Sequence, residues 1–168
     1  MKFLANGPVP NSRLLMLILS LTLGYFFLQS VTGILLYAES IGFSYASVVD
    51  YYRGSEETFK NPVSYRGLLE GSHFHLFAMA IGLLLVNHLA AFTKLPQGLK
   101  LFLVLVSFLS GLLDMASGWL TGFVSPNFAY LKIASFVAFQ ASFLVLIAVS
   151  FFSLSIYAKR GKEHPLVQ

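Results

Sequence analysis

The sequence contains no cysteine and few charged residues. The lack of cysteine excludes disulfides, iron–sulfur clusters, thiolate haem ligation and nucleophilic thiols. Charged residues make up 11% of the 168 residues and hydrophobic residues 57%, whereas an average soluble domain carries about 25% charged residues. A soluble globular enzyme, a disordered tail and a fibrous repeat are therefore excluded, and most of the chain must lie in lipid.

The motifs of nucleotide-binding and hydrolytic enzymes are also absent. The sequence has no Walker loop, no GxGxxG, no HExxH and no nucleophile elbow. We therefore predict no catalytic residue, and we expect the chain to work as a subunit and not as an enzyme on its own.

Four apolar runs are long enough to cross a membrane. A helix that spans a hydrocarbon core of about 30 Å needs about 20 mostly apolar residues. In lipid, the backbone amides of such runs must be satisfied within helices. The sequence therefore predicts an all-α polytopic membrane protein, a single domain over 1–168 whose four transmembrane helices form an up-down-up-down bundle. The four runs lie at about 14–37, 68–92, 99–124 and 131–157.

The positions of the basic residues predict the orientation of this bundle. Seven lysines and arginines fall on one side of the membrane if the helices alternate. Cationic flanks stay in the cytoplasm, so both termini are predicted inside a bacterial inner membrane. The net charge of +4 is then explained by topology, and we expect no nucleic-acid partner. The seven residues are Lys2, Arg13, Lys94, Lys100, Lys159, Arg160 and Lys162.

The longest segment between runs, 39–67, is predicted to lie outside. Apolar and aromatic residues at helical spacing predict a short interfacial helix over about 44–53, with Ser44 or Ser47 as N-cap and Gly54 as stop. The tyrosines around it are predicted at headgroup level, either as membrane anchors or as a docking surface for a periplasmic partner, such as a redox protein, or for another membrane subunit. These tyrosines are Tyr51, Tyr52, Tyr65 and Tyr130.

Three of the 4 histidines lie on the second apolar run. Ionisable residues within transmembrane helices are costly and usually functional. On a helix, His73 and His88 are about 60° and about 22 Å apart, whereas His73 and His75 point in nearly opposite directions. One metal ion cannot take both His73 and His75, but His73 and His88 could serve two sites near opposite membrane faces.

A carboxylate on the third run lies at about the depth of His75. Asp114 is the only acidic residue well inside an apolar run, so it must be neutral, paired or solvated. Glu70 shares a helix face with His73. Glu70, His73 and Asp114 are therefore candidate ligands of a metal or quinone site, and His88 is a further candidate metal ligand. If Asp114 is only tolerated, Asp114→Leu is expected to preserve stability.

Two histidines about four turns apart on one transmembrane helix resemble the haem-bearing helices of b-type cytochromes. The motifs YYRG at 51–54, ExxHxHLF at 70–77 and NHL at 87–89 also resemble a group of small bacterial four-helix inner-membrane proteins, some associated with respiratory or cytochrome components. The other runs contain no histidine, so a second axial ligand would come from Met115 or from a second copy.

This resemblance implies haem b, with His73, His75, His88 and Met115 as candidate ligands; a quinone is the other candidate cofactor. We predict a small membrane subunit of a respiratory or other electron-transfer complex, in contact with lipid and with other membrane subunits or a second copy. The alternative is a non-catalytic subunit that scaffolds a larger complex.

Overall fold

The computed structural model describes residues 13–163, with side chains described over 14–156. Lys2 lies outside the described residues. Of the basic residues that predict topology, Arg13, Lys159, Arg160 and Lys162 also have side chains outside them.

Within the described residues the chain is helical, apart from loops and one isolated bridge between Ser55 and Lys60. Its long helices contain 4 segments apolar enough to cross a membrane. The predicted all-α polytopic membrane fold is confirmed. The helices are α1 Arg13–Ser40, α2 Tyr45–Arg53, α3 Tyr65–Ala91, α4 Gln97–Phe123 and α5 Phe128–Glu163. The candidate spans are Leu14–Ser40, Tyr65–Ala91, Gln97–Phe123 and Phe128–Ile156.

The short helix α2 is closed at both ends by local chemistry. The Ser44 side chain accepts a hydrogen bond from the Ser47 amide, and the Ser47 side chain accepts one from the Ser44 backbone N–H, so Ser44 is the N-cap of a capping box. Gly54 follows with φ 78°, a conformation that a residue with a Cβ rarely adopts. Val48 and Tyr52 are buried, so α2 packs on the bundle. We call this end of the bundle the α2 end.

A hydrophobic core fills the opposite end. Its buried residues come from α1, α3, α4 and α5, and Phe26 of α1 packs edge-on against Phe143 of α5. A Cβ on Gly82 of α3 would lie 3.7 Å from Phe26 and 3.6 Å from Phe143, so α1 and α3 approach each other at this level. The core residues are Leu23, Leu83, Val86, Ala90, Leu103, Phe143, Leu146 and Ile147.

The helices are not packed evenly around this core. α4 and α5, joined by a tight turn, form the most extensive pair, while α1 packs mainly on α5 and shares few contacts with α3. The hydroxyls of Ser107, Ser117 and Thr121 donate to carbonyls of α4 itself. Small residues on this face let helices approach closely in lipid without leaving polar groups unsatisfied.

Candidate ligand cavity

A cavity of about 640 Å³ lies inside the α2 end of the bundle. Because α1 and α3 meet near Phe26 and Gly82 and share few contacts elsewhere, a space is left between them. Its walls are α1, α3, α4 and α5, and Tyr51 and Tyr52 of α2 also line it. Its volume falls in the usual range for small-molecule sites, about 300–1,000 Å³.

A buried ion pair forms one wall of the cavity. Lys132 of α5, which is 4% exposed, donates from Nζ to Asp114 Oδ1 at 2.7 Å and to the Asp114 carbonyl oxygen at 3.1 Å. Both residues line the cavity. From the sequence, Asp114 could be neutral, paired or solvated, and the structure shows it paired with Lys132.

Tyr37 of α1 lies beside this pair. Its ring stacks on Phe136 with centroids 3.7 Å apart, and Lys132 Nζ lies 5.8 Å from the ring centre. Tyr37 is 5% exposed, and its Oη has no hydrogen-bond partner among the described residues. Buried hydroxyls are usually hydrogen-bonded, so this one points to an acceptor that the described protein groups do not supply.

His75 lines the cavity from α3, although its side chain is exposed. Its Nδ1 lies 2.7 Å from the carbonyl oxygen of Gly71, one turn earlier. A carbonyl only accepts hydrogen bonds, so Nδ1 carries the proton and Nε2 of the neutral ring is left with a lone pair. Met115, the candidate second haem ligand, lines the same cavity from α4.

Tyr52 lies over α4, where the absence of a side chain at Gly118 makes room for it. A Cβ on Gly118 would lie 2.9 Å from the Tyr52 hydroxyl oxygen. Burial, together with the nearby Asp114, raises the pKa of Tyr52 well above its usual range, so its hydroxyl stays protonated at neutral pH. Of the tyrosines predicted at headgroup level, Tyr52 is buried because α2 packs down on the bundle, whereas Tyr65 and Tyr130 are exposed.

Glu70 and His73 do not join the cavity. Glu70 pairs with Arg66 one turn earlier, at 2.7 Å, and the pair is exposed. His73 is exposed and packs edge-on against Phe74. Within residues 14–156, no three His, Asp or Glu side chains are grouped so that they could hold a metal ion. Glu70, His73 and Asp114 are therefore not brought together.

His88 lies in the last turn of α3 and packs edge-on against Phe92. It is exposed, about 140–160° around the helix from the buried residues Leu83, Val86 and Ala90. A cofactor bound at His88 would therefore lie on the outward side of α3, where another subunit could contribute.

Lys132 and Tyr37 line the cavity but are missing from the site predicted from the sequence. Lys132 lies within the fourth apolar run. The four-residue loop 124–127 makes α4 and α5 antiparallel neighbours. This arrangement is the clue in the sequence that Lys132 could pair with Asp114. Tyr37 ends the first run, and nothing in the local sequence marks its hydroxyl as unpaired.

These features define the chain as a polytopic helical membrane protein with a cavity between its spans that a buried ion pair lines on one side. Residues 42–162 match the model of the Aq_1264_TM family, a transmembrane helical domain. The match covers more than half of the sequence, and the chain belongs to this family. It includes α2 and most of the cavity wall but not α1. No curated protein and no solved structure shows significant similarity to the chain.

Proposed function

We propose that this chain is a small membrane subunit of an electron-transfer complex and that its cavity holds a lipid-soluble redox cofactor. The observation that carries the proposal is the position of His75. An imidazole between membrane spans is costly unless it serves a purpose. This one lines a cavity of about 640 Å³, with Nδ1 fixed by Gly71 and Nε2 available to a ligand.

Haem b is one candidate cofactor. A backbone carbonyl that fixes Nδ1 and leaves Nε2 to bind the metal is a common arrangement around ligating histidines. His75 would hold the iron, with Met115 as the second ligand because both residues line the same cavity. Bound haem would supply one-electron transfer, and the aromatic side chains of α5 would enclose its faces.

A quinone is the other candidate, and the unpaired Tyr37 hydroxyl favours it. A quinone is bound by hydrogen-bond donors and by one or two flat apolar walls. Unlike haem iron, it needs no axial ligands. One histidine in the cavity is then sufficient.

His73 and His88 support haem binding only at a contact between subunits. Each is exposed, and neither lines the cavity. A haem on either of them would need its other ligand from a second copy or another membrane subunit. This arrangement predicts that the haem is lost when the complex is dissociated into single chains.

The optical spectrum of the complex, purified in mild detergent from its native membranes, tests the proposal. A reducible Soret and α band that disappears in His75→Ala supports haem in the cavity, and organic extraction followed by mass spectrometry measures bound quinone. His73→Ala and His88→Ala are matched controls, since each removes an imidazole that is exposed on the same helix, as His75 is, but that does not line the cavity.

Loss of the Soret and α bands in either control, but not in His75→Ala, would move the haem to the outward face of α3. A stable complex that carries neither haem nor quinone, and that is unchanged by His75→Ala, would overturn the proposal. The chain would then be a structural subunit that scaffolds its complex.

A further inference from the structure

The unpaired Tyr37 hydroxyl indicates the chemistry of the ligand. The aromatic ring is held firmly, because it stacks on Phe136 at an interplanar angle of 16°. The hydroxyl oxygen cannot therefore move toward another acceptor without disturbing this packing. A ligand oxygen that accepts a hydrogen bond would satisfy it.

Lys132 provides a second donor next to Tyr37. An ammonium group has three N–H donors, and Asp114 takes two of them through its carboxylate and its carbonyl oxygen. The third has no hydrogen-bond partner among the described residues. Asp114 thus acts as a positioning residue that holds Nζ beside the Tyr37 ring, 5.8 Å from its centre.

His75 presents an acceptor to the cavity from α3. With Nδ1 donating to Gly71, the Nε2 atom of an imidazole that carries one proton has a lone pair. A ligand that fits this cavity has one oxygen that accepts from Tyr37 and Lys132. It also has a second polar group that meets His75 and can carry a proton. A quinone matches this arrangement in its reduced, quinol form, in which both ring oxygens are hydroxyls: one accepts from Tyr37 and Lys132, and the other donates to Nε2 of His75.

The remaining walls suit a flat ring. Phe136, Phe139 and Phe143 of α5 line the cavity, and the rings of Phe139 and Phe143 are stacked at an interplanar angle of 15°. Aromatic faces of this kind pack well against another flat ring. Because α1 and α3 share few contacts, a lipid-soluble molecule can reach the cavity between them from the bilayer.

We infer that the cavity is a quinone site in which Tyr37 and Lys132 donate hydrogen bonds to one ring oxygen and His75 contacts the other. This inference rests on the proposed function for its role in electron transfer. Quinone binding itself can be measured on the isolated chain. A lipid ester carbonyl has the same acceptor chemistry, but it lacks the flat ring and the second oxygen opposite His75.

The chain contains a built-in reporter for this binding. Trp119 is the single tryptophan in the sequence, and its Nε1 donates to Ser72 Oγ at 2.8 Å. Ser72 lines the cavity, so a quinone bound there lies close enough to quench the fluorescence of Trp119. The experiment is a titration of the purified full chain, in detergent, with decylubiquinone.

We expect saturable quenching, with an affinity that Tyr37→Phe weakens about fivefold, the effect of one hydrogen bond. The variant keeps the ring and removes only an unpaired hydroxyl, so its thermal unfolding temperature should not fall. Tyr25→Phe is the matched control, because Tyr25 lies on the same helix and is 74% exposed. The double variant Asp114→Leu/Lys132→Met removes the second donor without leaving a lone buried charge, and should weaken binding about tenfold or more.

Equal affinity of wild type and Tyr37→Phe for decylubiquinone overturns the inference. Native mass spectrometry of the purified chain provides a second measurement. A glycerolipid that stays bound, and that decylubiquinone does not displace, assigns the acceptor oxygen to a lipid ester and also overturns it.

The two proposals fail in distinguishable ways. Decylubiquinone binding that depends on Tyr37, together with a native complex free of haem and quinone, supports the site and contradicts the electron-transfer role. If instead His75→Ala loses a bound haem, and decylubiquinone binding does not depend on Tyr37, the electron-transfer role is supported and the quinone site is contradicted.

Discussion

Lys132 Nζ lies 2.7 Å from Asp114 Oδ1, and this ion pair joins α5 to α4 inside the membrane-spanning part of the bundle. The two residues lie at different depths when measured from the same end of the bundle, the end at which α4 and α5 are joined. Lys132 is about 6 Å along α5 from Phe128, whereas Asp114 is about 13 Å along α4 from Phe123. The long lysine side chain reaches inward to the carboxylate.

The expectation that Asp114→Leu preserves stability applies to a carboxylate that is only tolerated, and the ion pair with Lys132 leads to a different prediction. Removing one partner of a buried pair costs about 3–5 kcal/mol, because the remaining charge is left uncompensated. We expect Lys132→Met to reduce the free energy of unfolding more than Asp114→Leu does. A freed lysine near a helix end can extend toward the headgroups, but Asp114 cannot.

Unfolding in sodium dodecyl sulfate, followed by circular dichroism, measures these free energies. The double variant Asp114→Leu/Lys132→Met should be close to wild type or more stable, since apolar replacement of a whole buried pair is often neutral or stabilising. If Asp114→Leu alone matched wild type, the ion pair would not contribute to stability.

Gly118 should not tolerate a side chain, although it lies within a helix. Alanine is a better helix former than glycine by about 1 kcal/mol, but a Cβ at this position would lie 2.9 Å from the Tyr52 hydroxyl oxygen. We expect Gly118→Ala to lower the free energy of unfolding by about 1–3 kcal/mol through overpacking. Thermal unfolding in detergent measures the change.

Gly24→Ala is the matched control for this substitution. A Cβ at Gly24 meets nothing within 4 Å, so only the gain in helix propensity remains, and the variant should be as stable as wild type or slightly more stable. Equal behaviour of the two variants would show that α2 does not press on α4 at Gly118.

The capping box of α2 should control local opening of the loop between α1 and α3. Ser44→Ala removes the acceptor for the Ser47 amide, a loss of about 1 kcal/mol. With a weaker cap, α2 should open more often and take Tyr52 with it. We therefore expect faster hydrogen exchange in α2 and faster proteolysis near Phe59, which is 94% exposed. Glu57→Ala, an exposed change in the same loop, should leave both rates unaltered, and unchanged exchange in Ser44→Ala would contradict the role of the cap.

The sequence was sufficient to predict the spans and the helical class. Run length and charge distribution depend on the bilayer more than on details of packing, so the four spans follow from composition alone. The helix over 45–53 also follows from local chemistry, since Ser44 and Gly54 mark its ends. The sequence left Ser44 and Ser47 open as N-cap, and the structure shows that both take part in the capping box.

The site was less predictable, because it depends on contacts between distant parts of the chain. Asp114 was identified from its depth, but its partner was not, since the length of a lysine side chain lets it reach across about 7 Å of depth. The cavity lies between α1 and α3, which share few contacts, and on its inner side a Cβ at Gly82 would meet Phe26 and Phe143. No local pattern encodes that arrangement. The pairing of Arg66 with Glu70, by contrast, has the i,i+4 spacing that a sequence can show.

Because the sequence lacks cysteine, single introduced cysteines can establish the orientation. We expect Thr58→Cys, between α2 and α3, to react with a membrane-impermeant maleimide in intact bacterial spheroplasts. Gln97→Cys, at the start of α4, should react only after the membrane is permeabilised. Wild type should not react in either condition. Thr58 lies at the same end of the bundle as the cavity, so its labelling from outside would place the cavity in the outer half of the membrane. A redox partner would then approach from that side, whereas the reverse labelling pattern would contradict the predicted topology and place the partner in the cytoplasm.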